Sequence, residues 1–465
     1  MKFLGVDFDV EHMTMLDKDF LPLGAFMDGY LKGARQAVTF AVARPDGTVS
    51  AYDTFLYGTP VMRSADEFFA SRLIKMLLWI RGGVEVHVFG NDNMAAFLQK
   101  EYSERGNRAF DAQFMSRVYE RPFVVKAVGQ KPISRENPMP IGGHFDGCRI
   151  GFDAGGSDRK VSAVIDGQAV YSEEVVWRPK SNANPDYHFQ GIVSAFKIAA
   201  SKMPRVDAIG VSSAGIYVDN RTMVASLFLK VPPMLFDQKV KDIYIRAAGE
   251  IGDVPLVVAN DGDVAALAGA MELGEGRVLG LAMGTSEAVG YVDINRYVTG
   301  WLNELAFVPV DCNPNALADE WSGDVGCGVK YFSQDGVIKL AALAGIELDA
   351  GLTPAQKLKV VQDLMEVNDS RASAIYRDIG VYFAHAVNLY ARFYDIGHIL
   401  LLGRVVSGSG GNLILQTAQN ILAQEYPALA EQIRLALPDE RNRRVGQSVA
   451  AAGLPQRFAS ILREN

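Results

Sequence analysis

Three short apolar runs in this chain each end in a glycine-bearing turn, and no other feature constrains the fold as tightly. The first is Phe152-Asp153-Ala154-Gly155-Gly156-Ser157 and the second is Leu281-Ala282-Met283-Gly284-Thr285-Ser286. The third is Leu400-Leu401-Leu402-Gly403-Arg404, followed by Ser407-Gly408-Ser409-Gly410-Gly411. A glycine at a strand-end turn lets backbone N–H groups approach an anion. Ser157 adds a hydroxyl donor to the first turn. Asp153 closes the first strand and can hold Mg2+ through water, because this hard ion takes oxygen ligands and keeps its own waters. The second turn lies one lobe-length downstream, so the pair suits a polyphosphate clamped across a cleft. The third falls between a buried-type strand and a helix starting near Asn412, a place for a nucleotide's sugar or base beside a helix N-terminus. Each turn alone reads as a plain glycine-rich hairpin with a solvated neighbour. Three in this order, each after an apolar strand, argue together for a nucleotide.

The surrounding pattern is α/β. Cys148–Asp153, Val161–Ile165 and Ala169–Trp177 read as strands, with Asp166-Gly167 as a hairpin turn. Helical spacing over Gly191–Ser201 leads to strand Ala208–Val211, then strand Val254–Ala259 and an alanine-rich helix, Val264–Leu273. Arg277–Met283 and Ala288–Ile294 flank the second turn, and a long helix over Arg371–Tyr394 precedes strand His398–Leu402. Strands and crossover helices met twice predict two similar lobes, over residues 147–270 and 271–465, with the C-terminal helix free to pack back on the first. Residues 1–146 form an α/β domain ending in a Pro- and Gly-rich linker, Gln130–Asp146. The order there is hairpin (Ala37–Arg44, Val49–Tyr57), helix (Ala65–Arg81), strand (Val84–Phe89). It echoes the start of the 147–270 lobe, and FGNDNMAAF at 89–97 echoes ANDGDVAAL at 259–267. A degenerate half-lobe copy and a chance likeness both fit.

Asn260-Asp261 follows an apolar strand and precedes a helix. Asn and Asp are the best helix N-caps, so a cap is the plain reading. Phosphoryl transfer also needs a carboxylate at such a strand end, to take the acceptor hydroxyl's proton.

The succession Asp-x-Gly-Gly-Ser, Ser212-Ser213-Ala214-Gly215, Asn260-Asp261, Gly284-Thr285-Ser286 and the late Gly-Ser-Gly-Gly resembles the ROK sugar kinases of the hexokinase–actin superfamily. The resemblance covers residues 147–465. It implies a two-lobed ATPase core with RNase H-like sheets, preceded here by the smaller α/β domain. It also implies ATP and Mg2+ as cofactors, and phosphoryl transfer to a sugar hydroxyl. Asp261 matches the family's general base. Asn260, Glu304 and Ser213 match its sugar contacts. Asp153 (the Mg2+ ligand, via water), Gly155, Gly156, Ser157, Gly284, Thr285, Ser286, Gly403, Gly410 and Gly411 match its ATP site. The chain departs from the pattern in three places. Where the family has Gly-Glu-x-Gly-His, this sequence keeps Glu304 but has Asn303, Ala306 and Phe307; Phe307 offers a sugar only a face to stack on. The family's zinc motif is reduced to Gly323, Gly326 and Cys327, so no structural zinc is expected, since such a site wants four N or S ligands. Glu287 follows the second turn where glycines are usual, and its carboxylate repels a triphosphate unless it faces outward or sits behind Mg2+.

The bulk numbers limit the alternatives. A net charge of −8 argues against nucleic acid as the main partner. Three scattered cysteines (Cys148, Cys312, Cys327) fit a reducing compartment, and no apolar run approaches the 18 residues of a membrane span. The expectation is a soluble, cytoplasmic protein with a small-molecule sugar as partner, with no membrane partner and a homodimer left open. The six histidines lack metal-ligand spacing. Arg441, Arg443 and Arg444 beside Asp439 and Glu440 read as a solvated helix start. Residues 1–146 show no compact three-helix run with a basic recognition helix. They are expected to pack on the 147–270 lobe in an architectural role, with Asn91-Asp92 catalytically silent. The rival to the kinase is a sugar- or nucleotide-sensing protein with the same fold and little turnover.

Overall fold

The computed structural model describes residues 1–136, 141–438 and 440–456. The middle of the Gln130–Asp146 linker and the side chains of the Arg441, Arg443 and Arg444 cluster lie outside the described residues. The chain divides into two compact units. The first comprises Met1–Asn137, Leu281–Val289 and Trp301–Leu437; the second comprises Pro138–Gly280, Gly290–Gly300 and Pro438–Asn465. No helix among the described residues is long and apolar enough to cross a membrane.

The N-terminal part of the first unit runs α1 (Leu23–Gly33), β1 (Gln36–Ala43), β2 (Val49–Leu56), α2 (Arg63–Arg81), β3 (Glu85–Phe89), α3 (Asp92–Glu101), α4 (Ala109–Tyr119) and β4 (Val124–Ala127). Its sheet has the order β2-β1-β3-β4. Asp66 in the first turn of α2 and Arg81 in its last complement the helix dipole, and Gly82 at φ +81° ends it.

The second unit continues with β5 (Cys148–Ala154), β6 (Asp158–Ile165), β7 (Gln168–Val176), α5 (Pro185–Ala200), β8 (Ala208–Ser213), β9 (Leu256–Asn260) and α6 (Asp261–Leu273). The sheet order is β9-β8-β5-β6-β7. β5 and β8 are buried at every residue, as expected of parallel strands covered on both faces. β7, at the edge, alternates between exposed and half-buried positions, which is why its charges are tolerated.

The rest of the first unit includes α7 (Pro354–Glu366), α8 (Ser370–Tyr390), β12 (His398–Leu402), α9 (Ser409–Glu425) and β13 (Arg434–Ala436). β10 (Val278–Met283) and β11 (Glu287–Val292) complete a sheet of order β11-β10-β12-β13. The last helix, α10 (Glu440–Ala452), belongs to the second unit. Its backbone lies directly on β5 and β8: a Cβ at Gly151 would meet the Ser448 carbonyl, and one at Gly210 the Ala451 carbonyl.

The two halves share strand order with one omission. Lay β4-β3-β1-β2 beside β9-β8-β5-β6-β7, and β5 is the strand with no counterpart. The senses agree: β3 and β4 are parallel like β8 and β9, and β1 and β2 antiparallel like β6 and β7. The strand left out is the one that carries Asp153. The echo at Asn91-Asp92 falls after β3, whose counterpart is β8, whereas Asn260-Asp261 follows β9. What the two strings have in common is capping: Asn91 accepts from Met94 N (2.8 Å) and Asn260 from Gly262 N (2.7 Å).

One placement differs from the sequence reading. The N-terminal segment packs on 301–437, where the reading had put it on 147–270. Leu23 N donates to Val310 O (2.9 Å), Cys312 N to Leu21 O (2.8 Å), and Asp378 accepts from the amides of Met15 and Leu16 (2.8 Å each). These partners lie some 290 to 360 residues apart in sequence, beyond the reach of local pattern.

Candidate active site

Strand register builds the cluster in the second unit. β5, β8 and β9 run parallel, with Ser212 paired to Asp153 and Ala259, and Ser213 paired to Ala154 and Asn260. Their C-terminal ends therefore present Asp153, Ser212, Ser213, Asn260 and Asp261 along one edge, where open α/β sheets bind ligands.

Asp153 is buried, and Ser212 Oγ donates to it at 2.9 Å. Burial pushes its carboxyl up to about 6, against the pull of Ser212 and Lys160; the charge of Asp261 adds to the rise. Lys160 Nζ lies 3.9 Å from Asp153 Oδ2. The tip between β5 and β6 is built for close approach. Gly155 is hemmed in by the Asp158 backbone, Trp177 Nε1 donates to its carbonyl (2.7 Å), and Gly156 and Ser157 face solvent.

Of Asn260 and Asp261, the residue that takes the N-cap of α6 is Asn260: its Oδ1 accepts from Gly262 N, and its Nδ2 donates to Gly215 O at 2.8 Å. Asp261 is the first residue of the helix, with Gly262 N at 3.0 Å from one carboxylate oxygen. Burial raises its carboxyl above the ordinary value, opposed by the Gly262 and Asp261 amides and by Lys180. Gln447 of α10 donates to Ser212 Oγ (3.0 Å) and to the Asp261 carbonyl (3.1 Å), fixing the start of α6 to β8.

Ser213 is engaged inside the unit. Its buried hydroxyl accepts from Tyr217 (2.7 Å) and Tyr244 (2.8 Å). Lys180, to which the sequence reading gave no role, lies where a Cβ on Gly156 would meet its Cε and Nζ. It belongs to the polar excursion at 178–189. Buried His188 ties that excursion down through Asn184 O and Pro179 O (3.0 Å each). Nothing in local composition marks Lys180, because its position depends on that tether.

In the first unit, the Gly284-Thr285-Ser286 turn is held by Gln334 N, which donates to Gly284 O (2.9 Å), and the two hydroxyl-bearing residues are exposed. Glu287 does not face outward. It is 3% exposed, and neither carboxylate oxygen has a hydrogen-bond partner among the described residues. Burial, and then the charge of Glu304, hold its carboxyl well above the usual range, against a weaker pull from the nearby Tyr390 hydroxyl. Burial and the Glu304 charge both disfavour its charged form. Gly328 leaves it room, since a Cβ there would run into Glu287 Oε2.

The third turn is arranged differently from the sequence reading. α9 begins at Ser409, three residues before Asn412, so Gly410 and Gly411 lie within its first turn. Both are buried, Gly410 against the ring of Tyr376 and Gly411 against the Val406 backbone; their missing side chains serve packing. Gly403 (φ +94°) is pressed on the Met283 backbone. Glu366 occupies the N-terminus of α9, accepting from Ser409 N and Oγ at 3.0 Å each.

Glu304 is half-buried. Phe307 stacks on Trp79 (4.3 Å between centroids, 28°) and meets Trp321 edge-on (5.2 Å), so its face is taken by protein. This overturns its reading as a sugar-stacking surface; the aromatic partner comes from α2, far away in sequence. Cys327 is buried beside Asp324 and the Phe307 carbonyl, and burial pushes its thiol up to about 12. Among the described residues no group of three or more His, Cys, Asp or Glu is arranged to hold a metal ion.

No family model matches the chain, and no curated protein matches it. Solved structures do. The ROK hexokinase from Thermus thermophilus aligns at a TM-score of 0.50 with 19% identity, over 65% of this chain and 97% of that one. A ROK family glucokinase from Streptomyces griseus, in complex with glucose and AMPPNP, gives 0.45 and 20% over 66% and 98%. A ROK family transcriptional regulator, homolog of E. coli MLC, gives 0.48 and 15% over 65% and 77%. At these identities the likeness is one of fold: two-thirds of the chain has the ROK hexokinase fold.

Proposed function

We propose that this protein is an ATP-dependent sugar kinase with Asp261 as general base. One observation carries the reading: Asn260 takes the cap, which leaves the Asp261 carboxylate at the strand end for chemistry. Burial brings its pKa closer to working pH, as a base in phosphoryl transfer requires. The Gly262 and Asp261 amides, and then Lys180, oppose that rise and favour the carboxylate form that accepts a proton.

The donor side fits the nucleotide in two of three turns. Asp153 would hold Mg2+ through water. The Gly155-Gly156-Ser157 and Gly284-Thr285-Ser286 turns present open backbone and hydroxyls for phosphates. Gly403, Gly410 and Gly411 are packing glycines, and their part in holding ATP is limited to shaping the backbone. Bound Mg·ATP supplies the phosphoryl group and the counter-charge; the protein contributes position. Glu304 is assigned to acceptor hydroxyls.

Purified protein incubated with ATP, Mg2+ and a panel of hexoses and amino sugars tests this. Sugar-dependent ADP release that falls at least about a hundredfold in Asp261→Asn supports a base role. Turnover unchanged in that variant refutes it. The sensing protein is a second reading, and one feature favours it: the Asn260 amide, the Ser213 hydroxyl and the Phe307 ring are all engaged internally, which thins the polar groups left for an acceptor. ATP and sugar binding by calorimetry, without turnover on any acceptor, would select it.

A further inference from the structure

We infer that the N-terminal segment positions the acceptor-side Glu304, through α2 at one end and a buried charge cluster at the other. This rests on the role proposed for Glu304, and goes beyond it by giving residues 63–111 a part in the site.

A helix leaves its last carbonyls without intrahelical donors. In α2, Leu78 O is taken by Gly82 N. Trp79 O and Ile80 O are taken from outside: Glu304 N donates to Trp79 O at 3.0 Å, and Asn303 N to Ile80 O at 3.1 Å. The backbone of Glu304 is thus docked on the end of α2. Asn303 is buried in the left-handed region at φ +53°, and its Oδ1 accepts from Tyr394 (3.0 Å). Asparagine is among the few non-glycine residues that adopt this conformation readily. Three residues on from Glu304, Phe307 stacks on Trp79, whose Nε1 donates to Asp111 (2.8 Å).

The second anchor is Asp324, in the loop following this segment. It meets Arg108 Nη1 at 2.6 Å, Arg72 Nη1 at 2.7 Å and Lys75 Nζ at 3.2 Å. Lys75 is fully buried and also meets Asp111 at 2.9 Å. Burial alone would raise the Asp324 carboxyl, but the three cations hold it far below the usual range. Trp321, beside it, packs edge-on to Phe110, Phe114 and Phe307. Residues 303–324 are therefore gripped at both ends by the α2–α4 region, and Glu304 sits at one grip.

The test uses the full chain and two readouts. Asp324→Asn removes the charge and keeps the shape. Hydrogen exchange at the Asn303 and Glu304 amides reports docking whether or not the protein turns over, and should rise about tenfold or more. With the best acceptor of the sugar panel, KM for the sugar should rise about tenfold while KM for ATP stays within about twofold. In a Glu304→Gln background the same substitution should add little to sugar KM, because the effect runs through Glu304. Should Asp324→Asn fail to fold, Arg108→Gln removes one of the three cations and should show the same pattern more weakly. Unchanged exchange at 303–304 in a folded variant overturns the inference. So does a sugar KM effect that simply adds to that of Glu304→Gln. Faster exchange without turnover on any sugar would instead keep the docking and refute the kinase.

Discussion

Glu287 gives the sharpest physical test. A carboxyl ionising near 4.5 in the unfolded chain is buried here without a hydrogen-bond partner, and Glu304 adds like charge. Both effects favour the neutral form, so the folded carboxyl ionises at a higher pH. Below pH 4.5 both states hold the proton, and nothing is lost. Above it, only the unfolded chain releases the proton. Stability then falls by about 1.4 kcal/mol per pH unit, until the folded carboxyl ionises too. Glu287→Gln keeps the shape and removes the titration. As the pH rises above 4.5 the variant should therefore gain on the parent, and its relative melting temperature should rise with it. Thermal unfolding of both proteins at half-unit steps from pH 4.5 to 8 reads the difference. Glu304→Gln removes the neighbouring charge and should flatten the parent's own decline. A difference between the parent and the Glu287→Gln variant that is constant across this range would refute the argument, since it would mean the carboxyl titrates alike in both states.

Other consequences follow from both units. Asp153 is raised to about 6, and Asp261 interacts with it, so Mg·ATP affinity should fall as pH drops through 6; calorimetry at pH 5 and 7 with equal affinities would count against Asp153 as the Mg2+ ligand. Gly151→Ala drives a methyl into the backbone of α10 and should cost about 1 to 3 kcal/mol, seen by denaturant titration; a neutral result would mean α10 does not rest there in solution. Asp92→Asn should leave both activity and melting temperature unchanged, because Asn91 does the capping and Asp92 is exposed; a loss matching that of Asp261→Asn would show that this half contributes to chemistry. Elemental analysis of protein purified without added metal should give well under one zinc per chain; stoichiometric zinc that survives dialysis would place Cys327 in a metal site.

How far the sequence led depends on the range of the interactions involved. Strands β5 and β8 are visible as largely apolar runs, because a strand buried on both faces favours apolar side chains. The Asn260-Asp261 pair is visible too, but not which of the two takes the cap. Capping is decided by which residue adopts the non-helical backbone, and either residue type qualifies. The third glycine run misled for a related reason. A glycine needed for close helix packing, as Gly410 is against Tyr376, reads the same in sequence as one that admits a phosphate. Glu287 was the hardest. Strand alternation assigned it a face, but not whether that face meets solvent or the interior.

The departures at 303–327 make sense only with the N-terminal half in place. Taken alone, Asn303, Phe307 and Asp324 look like erosion of a motif. With α2 and α4 present, each has a specific partner: the end of α2 with Tyr394, the ring of Trp79, and three cations. A buried carboxylate with three close cations is costly to break from one side, because removing it leaves positive charge uncompensated in the interior. That asymmetry explains why the cluster resists piecemeal change once formed. It also predicts which substitutions are tolerated. Replacing Lys75 alone by Met leaves Asp324 with Arg72 and Arg108, and leaves Asp111 with the Trp79 Nε1 donor, so the chain should still fold. Asp324→Ala takes the shared carboxylate from Arg72 and Arg108, leaves Asp111 as the anion beside Lys75, and should cost about 3 kcal/mol or more. If the two substitutions proved equally damaging in denaturant titrations, the cluster would be acting through packing volume, and the electrostatic account of residues 303–324 would fall with it.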